Sequence, residues 1–185
     1  MLAIRTAQLI DGTGKSPVAD AVILIDNERI TAVGPADDLA IPPEATLVDA
    51  TAYTVLPGLI DVHVHVHAAG ENNQMHAYAL GQVTQTQGMM ALNAYRYAMD
   101  SLQMGYTALR SVASPAYVDV ALRDAIDRGI VTGPRLRVSG QGLTITGGHM
   151  DSPMWAPEVS ISGRTGVCDG PWNCRRARGS KIPCA

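Results

Sequence analysis

Leu56-Pro57-Gly58-Leu59-Ile60-Asp61-Val62-His63-Val64-His65-Val66-His67 is the stretch on which the reading of this chain turns. An apolar lead-in passes into strict alternation, the period of two that marks a β-strand. Alternation predicts Asp61, His63, His65 and His67 on one face and Val62, Val64 and Val66 on the other. Same-face neighbours along a strand lie about 6–7 Å apart, so two imidazoles can converge on one ion above the strand end. Neutral imidazole nitrogens bind zinc and similar divalent metals. The competing reading is a plain amphipathic strand with a His-rich polar face. Three of the five histidines in the chain fall here by alternation, which favours a metal-binding strand end.

Composition narrows the class. At 185 residues the chain has room for one domain, or one and a fraction. A net charge of −3, no basic run and no Phe give no footing for a nucleic-acid or polyanion partner. No run of about 18 apolar residues suggests a membrane span. The N-terminus, Met1-Leu-Ala-Ile-Arg-Thr-Ala-Gln8, lacks the basic-then-apolar order of a signal peptide, so the expected compartment is cytoplasmic. Cys168, Cys174 and Cys184 are odd in number and not closely paired, which predicts free thiols rather than a disulfide framework or a zinc ribbon.

Outward from the histidine strand, residues 1–57 read as all-β. Ala21–Asp26 and Arg29–Val33 are apolar runs joined by Asn27-Glu28, the pattern of a hairpin. Asp11-Gly-Thr-Gly14 is a turn, with no helix pattern or Lys-Ser/Thr pair behind it to make a phosphate loop. Beyond the histidines the period changes. Ala91–Met104 carries Leu92, Tyr95, Met99 and Leu102 at helical spacing, with Gly105 as a C-terminal stop. Tyr106–Val112 reads as a strand, Val118–Arg128 as a helix with Leu122, Ala125 and Ile126 on one side, and Arg135–Ser139 as a third strand. Strands alternating with helices predict right-handed βαβ units and a parallel sheet. Chemistry in such folds gathers at the carboxyl ends of the strands. His63 and His65, then Arg110 and Ser111, then Gly140–His149 all fall there. Arg110 is read first as a structural ion-pair partner.

At this point the chain resembles the amidohydrolase superfamily, in the order β segment, then Pro57-Gly58-Leu59-Ile60-Asp61-Val62-His63-Val64-His65 closing a first barrel strand. Gly140-Gln-Gly-Leu-Thr-Ile-Thr-Gly-Gly-His149-Met-Asp151, with Asp169-Gly-Pro171 and Cys174-Arg-Arg-Ala177 downstream, is similar to the imidazolonepropionase-related branch that includes Xaa-Pro, Xaa-Lys and Xaa-Arg dipeptidases. The resemblance implies an α/β fold: the N-terminal part of a (β/α)₈ metal-dependent hydrolase barrel, about three βα units over residues 58–177, preceded by part of a small β-sandwich over residues 1–57. It implies a divalent metal, expected to be zinc and binuclear in full-length members, held in part by His63 and His65. His67, just past the motif, is expected at a pocket wall or in solvent. His149 falls where the family places a substrate-contacting histidine, the alternative being a loop histidine that caps a carbonyl. The implied reaction is hydrolysis of a C–N bond in a small amide or dipeptide by metal-activated water. Cyclic-amide opening or deamination is the sister chemistry. The implied protein has no nucleic-acid or membrane partner, and homo-oligomerisation stays open.

The chain also departs from that pattern. No histidine follows His149, and Lys181, one of two lysines, does not suit a bridging position. No catalytic base is assignable. Residues 178–185 carry neither the helix nor the strand expected there, which points to a premature stop or a reading-frame change near residue 178. A full barrel needs about 250 residues, more than Gly58–Ala185 provides. The expectation is therefore a lineage of amidohydrolases and a fragment that, by itself, lacks the ligands for turnover.

Overall fold

The computed structural model describes residues 1–68, 80–81, 83–151 and 166–179. They form two compact units, residues 1–57 and 58–185.

The first unit is one four-stranded sheet: β1 (Leu2–Leu9), β2 (Val18–Asp26), β3 (Arg29–Pro35) and β4 (Thr46–Val55), in the order β3-β2-β1-β4. β2 runs antiparallel to both β1 and β3, and β4 lies parallel to β1. The β2–β3 hairpin turns at Asn27 and Glu28 with φ of 45° and 67°. Two left-handed residues in a row are what a twisted two-residue hairpin demands, and here no glycine supplies them. Central β2 is buried on both faces. Val22 and Leu24 pack with Ala3 under Leu39 and Ile41, while Ala21 and Ile23 pack with Leu9. A second sheet that would complete a sandwich is not present among the described residues.

The second unit contains β5 (Leu59–Val64), α1 (Gln87–Gln103), β6 (Tyr106–Ser111), a 3₁₀ turn (Pro115–Tyr117), α2 (Val118–Asp127) and β7 (Arg135–Val138). Next come the short parallel pair β8 (Leu143–Thr144) and β9 (Gly166–Val167), then α3 (Gly170–Gly179). β5, β6 and β7 make a parallel sheet in that order, as the alternating pattern predicts. The described strands form an open sheet and do not close into a barrel. Just before β5, a Cβ at Gly58 would collide with the Thr107 side chain of β6, so the close approach there calls for glycine.

Both helices cover one face of this sheet. Leu109, Leu136, Val138 and Val66 pack against Met90, Ala94 and Ala98 of α1 and Val118, Val120 and Leu122 of α2. The buried stripe of α1 is thus Met90 followed by the small residues Ala94 and Ala98, whereas Leu92 is 65% exposed. The spacing of the large apolar residues pointed to a neighbouring stripe; the short Ala side chains let the helix lie close to the sheet instead. α1 also begins earlier than its apolar pattern, because the Thr86 hydroxyl accepts from the Met89 amide as an N-cap. α2 buries Val118, Asp119, Val120 and Leu122, with Ile126 only partly covered.

α3 is a helix that the sequence pattern does not announce, and it reverses the expectation of free thiols. Cys168, just after β9, and Cys174, on α3, form a disulfide with Cα atoms 5.1 Å apart. The Gly170 turn, at φ 73°, folds α3 back so that a six-residue separation becomes a short distance in space. Cys184, Lys181 and residues 180–185 of the tail lie outside the described residues.

These packing assignments separate two leucines. Leu109→Ala should cost about 2–5 kcal/mol, the range for emptying a buried leucine site. Leu92→Ala, on the exposed side of α1, should stay within about 0.5 kcal/mol of the parent. Urea unfolding followed by circular dichroism measures both.

Candidate metal site at the strand ends

The histidine strand is not a plain alternating ribbon. Leu59 pairs with Tyr106 and Val64 with Ser111, an equal advance on both strands. Between them, however, Ile60 pairs with Ala108 and Asp61 with Leu109. β6 therefore carries an extra residue at Thr107, and β5 carries one across Val62–His63. The two slips cancel over the strand but not within it. Asp61 is put in register with Leu109, on the helix-covered face, instead of sharing a face with His63. The alternation expected over Asp61, His63, His65 and His67 is thus interrupted by the bulge between Asp61 and His63. Val64 and Val66 do enter the core, but Val62, inside the bulge, is 58% exposed.

A bulge frees backbone groups that need partners. Here two side chains supply them. The Asp61 carboxylate accepts from the His63 amide at 2.9 Å. The Arg110 guanidinium, through Nε, donates to the Val62 carbonyl at 2.5 Å. Arg110 is thus structural, as expected, but as a cap on a backbone carbonyl rather than as half of an ion pair.

Beyond the bulge the three imidazoles follow one another. The His63 and His65 rings are 5.6 Å apart, edge to face, and His65 and His67 are 6.1 Å apart. His63 and His65 are exposed. His65 Nδ1 lies 2.8 Å from the Val112 carbonyl. A carbonyl only accepts, so Nδ1 carries the proton and Nε2 keeps its lone pair for an external acceptor of electrons. Metal-binding histidines are commonly oriented by such a carbonyl contact. The pair therefore fits two positions of a coordination shell. Among the described residues no group of three His, Cys, Asp or Glu side chains gathers in a metal-binding arrangement.

His67 differs from its neighbours. It is largely buried, and loss of hydration, with a smaller contribution from the charge on His65, lowers its pKa to about 4. Of the two places expected for it, solvent is the one it does not occupy.

His149 is exposed on a nested turn after β8. The Gly147 amide donates to Asp151, the Gly148 amide to the Ile145 carbonyl and the Asp151 amide to the Gly148 carbonyl. A side chain at Gly148 would strike Thr144 and the Ile145 carbonyl, so the close approach this glycine permits serves the turn itself. Asp169 clamps the turn from outside, accepting from the Thr146 hydroxyl at 2.5 Å and the Thr146 amide at 2.9 Å. Those two bonds, the hydroxyl first, hold the Asp169 carboxyl below the usual carboxylate range. The ring contacts among the described histidines run His63–His65–His67 and do not include His149. Sequence reading passed over the Asp61, Arg110 and Asp169 contacts because each serves backbone or loop geometry that residue spacing does not encode.

Comparison with known proteins agrees with the fold. No family model matches the chain. Ochratoxinase of Aspergillus niger is 32% identical over 151 residues, covering 80% of this chain and 30% of that protein. Imidazolonepropionase of Streptomyces griseus subsp. griseus is 24% identical over 188 residues, covering 92% of this chain and 45% of that protein. The crystal structure of a Xaa-Pro dipeptidase with methionine bound in its active site superposes with a TM-score of 0.78 at 27% identity, covering 96% of this chain and 44% of that one. The chain thus spans less than half the length of these relatives.

Two outcomes follow from the geometry. Burial favours neutral His67 in the folded chain, so its stabilising contribution is complete above about pH 6.5 and drains away as the pH falls toward 4. The loss should approach about 3 kcal/mol, and His67→Gln should flatten that part of the stability profile. Arg110→Met removes an exposed bond and lets water take the Val62 carbonyl; urea unfolding should show a loss of no more than about 1 kcal/mol.

Proposed function

The chain belongs to the amidohydrolase superfamily, and from that premise we propose that it carries the first metal-gripping element of a C–N bond hydrolase acting on a small amide or dipeptide-type substrate. The observation that carries this reading is the His63–His65 pair at the carboxyl end of β5, with His65 held in the Nδ1–H form by the Val112 carbonyl. The superfamily is generally metal-dependent. When bound, a divalent ion supplies Lewis acidity and a water nucleophile at neutral pH.

On this reading His65 presents its Nε2 lone pair, and His63 a ring-nitrogen lone pair, to one ion. Nitrogen ligands suit zinc, and also cobalt, nickel or iron; zinc is the ion we assign. Buried His67, neutral at physiological pH, walls the site without adding charge. His149, on its clamped turn, is the substrate-contacting candidate. Dipeptide-type amides are preferred over cyclic amides because the resemblance of Thr144-Ile-Thr-Gly-Gly-His149 is to the dipeptidase-containing branch. Turnover also needs further ligands and a proton carrier, which the described residues do not gather. The His63–His65 pair by itself should therefore bind metal weakly.

Cobalt titration tests this directly. Added Co²⁺ should shift and broaden the ring protons of His63 and His65 in the NMR spectrum before those of His149, with affinity in the micromolar range or weaker. His63→Ala or His65→Ala should weaken binding at least about tenfold. Ring signals of both histidines that stay unmoved at saturating Co²⁺ would refute the metal assignment.

A further inference from the structure

Behind His65 lies a polar network that the proposed chemistry does not use. Ser111, Ser114 and Asp119 are fully buried, although they stand at the strand ends rather than on the surface. Asp119 opens α2, and its two carboxylate oxygens are divided between elements. Oδ1 accepts from the Val120 amide at 2.8 Å, within the helix, and Oδ2 accepts from the Gly140 amide at 3.1 Å, just past β7. A buried carboxylate is costly unless such bonds offset its lost hydration. Burial pushes this carboxyl above its ordinary range even so, with the amide bonds from Gly140 and Val120 opposing the rise.

From Gly140 the connections return to the histidine. The Gly140 carbonyl accepts from the Ser114 amide at 2.8 Å. The neighbouring Ser139 hydroxyl accepts from the Ala113 amide at 2.8 Å. The Ser114 hydroxyl closes the ring by accepting from the Asp119 amide at 3.2 Å. Between these anchors Ala113 is held in the left-handed region, at φ 54°, a conformation that alanine adopts only under constraint. The residue preceding it is Val112, whose carbonyl faces His65 Nδ1.

We infer that Asp119 is a positioning residue for His65: its carboxylate pins Gly140, whose carbonyl takes the Ser114 amide, and this holds the strained Ala113, fixes the Val112 carbonyl, and so selects the Nδ1–H tautomer that leaves Nε2 open. The inference deepens the reading of His65 as a metal ligand and rests on it for its consequence. The tautomer itself is a property of the metal-free chain. Free histidine side chains in water favour the other form, so the effect has a direct spectroscopic signature.

The test is two-bond ¹H–¹⁵N NMR of the His65 ring in the metal-free 185-residue chain. The parent should show Nδ1 protonated and Nε2 bare. Asp119→Asn, which cannot accept from both Val120 and Gly140, should shift His65 toward the Nε2–H form and weaken Co²⁺ binding roughly tenfold. Ser139→Ala, which removes the acceptor of the Ala113 amide together with the hydroxyl's own bond to the Gly140 carbonyl, should shift it in the same direction, and Leu92→Ala should leave it alone. A folded Asp119→Asn chain with His65 still wholly Nδ1–H would overturn the inference. Should Asp119→Asn not fold, an unchanged tautomer in Ser139→Ala overturns it equally. Undiminished Co²⁺ binding in His65→Ala would sink the metal reading instead, and the tautomer would still decide the role of Asp119.

Discussion

Two compensating slips in the β5–β6 ladder govern the rest of the site. Parallel strands in perfect register would carry Asp61 and the histidines out along one face. The extra residue at Thr107 in β6 and the extra residue across Val62–His63 in β5 move only the middle of the strand. The result places a carboxylate behind the histidine it would otherwise stand beside. Asp61 then satisfies the His63 amide, and Arg110 satisfies the Val62 carbonyl. Neither side chain needs to touch an ion to matter, because each fixes the backbone from which His63 projects. A strand without the slips would present one more carboxylate to the site and two fewer constraints on its backbone.

How much of this was legible in the sequence follows from what residue order encodes. Alternation, apolar runs and turn residues are local, and they gave the β2–β3 hairpin, the order of β5, α1, β6, α2 and β7, and the parallel pairing. The histidine pair was legible for the same reason. Register slips are not local: Thr107 and Val62 look like any strand residues, and only their partners reveal the bulges. The left-handed Ala113, Ala116 and Tyr117 were equally invisible, since nothing in their chemistry asks for positive φ. The helix α1 was legible from Leu92, Tyr95, Met99 and Leu102, of which Tyr95 packs on the core, but Ala94 and Ala98, its most buried positions, carry too little apolar area to mark the inner face. The Cys168–Cys174 pairing depended on α3 folding back at Gly170, which the six-residue spacing alone does not show.

The carboxyl ends of β6 and β7 make a layered arrangement. Leu109, Leu136 and Val138 meet α1 and α2 as an apolar layer. Beyond Leu109 and Leu136, and from the level of Val138 onward, Ser111, Ser114 and Asp119 form a polar group with almost no exposure. The two layers answer to different physics. Apolar burial is nondirectional and tolerates small shifts, so the lower layer supplies stability. Hydrogen bonds weaken steeply with angle, so the upper layer supplies placement. Fully satisfied buried polar groups add rigidity where an apolar filling would add only cohesion.

That division explains why a fold of this kind tolerates polar burial close to its chemistry. A hydroxyl or carboxylate at a strand end would be a liability if its only return were stability, because an apolar residue of similar volume would serve as well or better. The return is geometric. The Val112 carbonyl must sit within hydrogen-bonding distance of one nitrogen of one ring, and the Ala113 backbone that carries it is strained. Strain persists only where surrounding bonds over-determine it. Ser139 and Gly140, reaching Ala113 and Ser114 from the next strand, with Asp119 behind them, provide that surplus of constraints. The same logic holds at the His149 turn, where Asp169 secures Thr146 from across the β8–β9 pair and the adjacent Cys168–Cys174 bond ties that segment to α3. In both places a loop is held by a carboxylate from outside it, so its shape does not depend on its own short sequence.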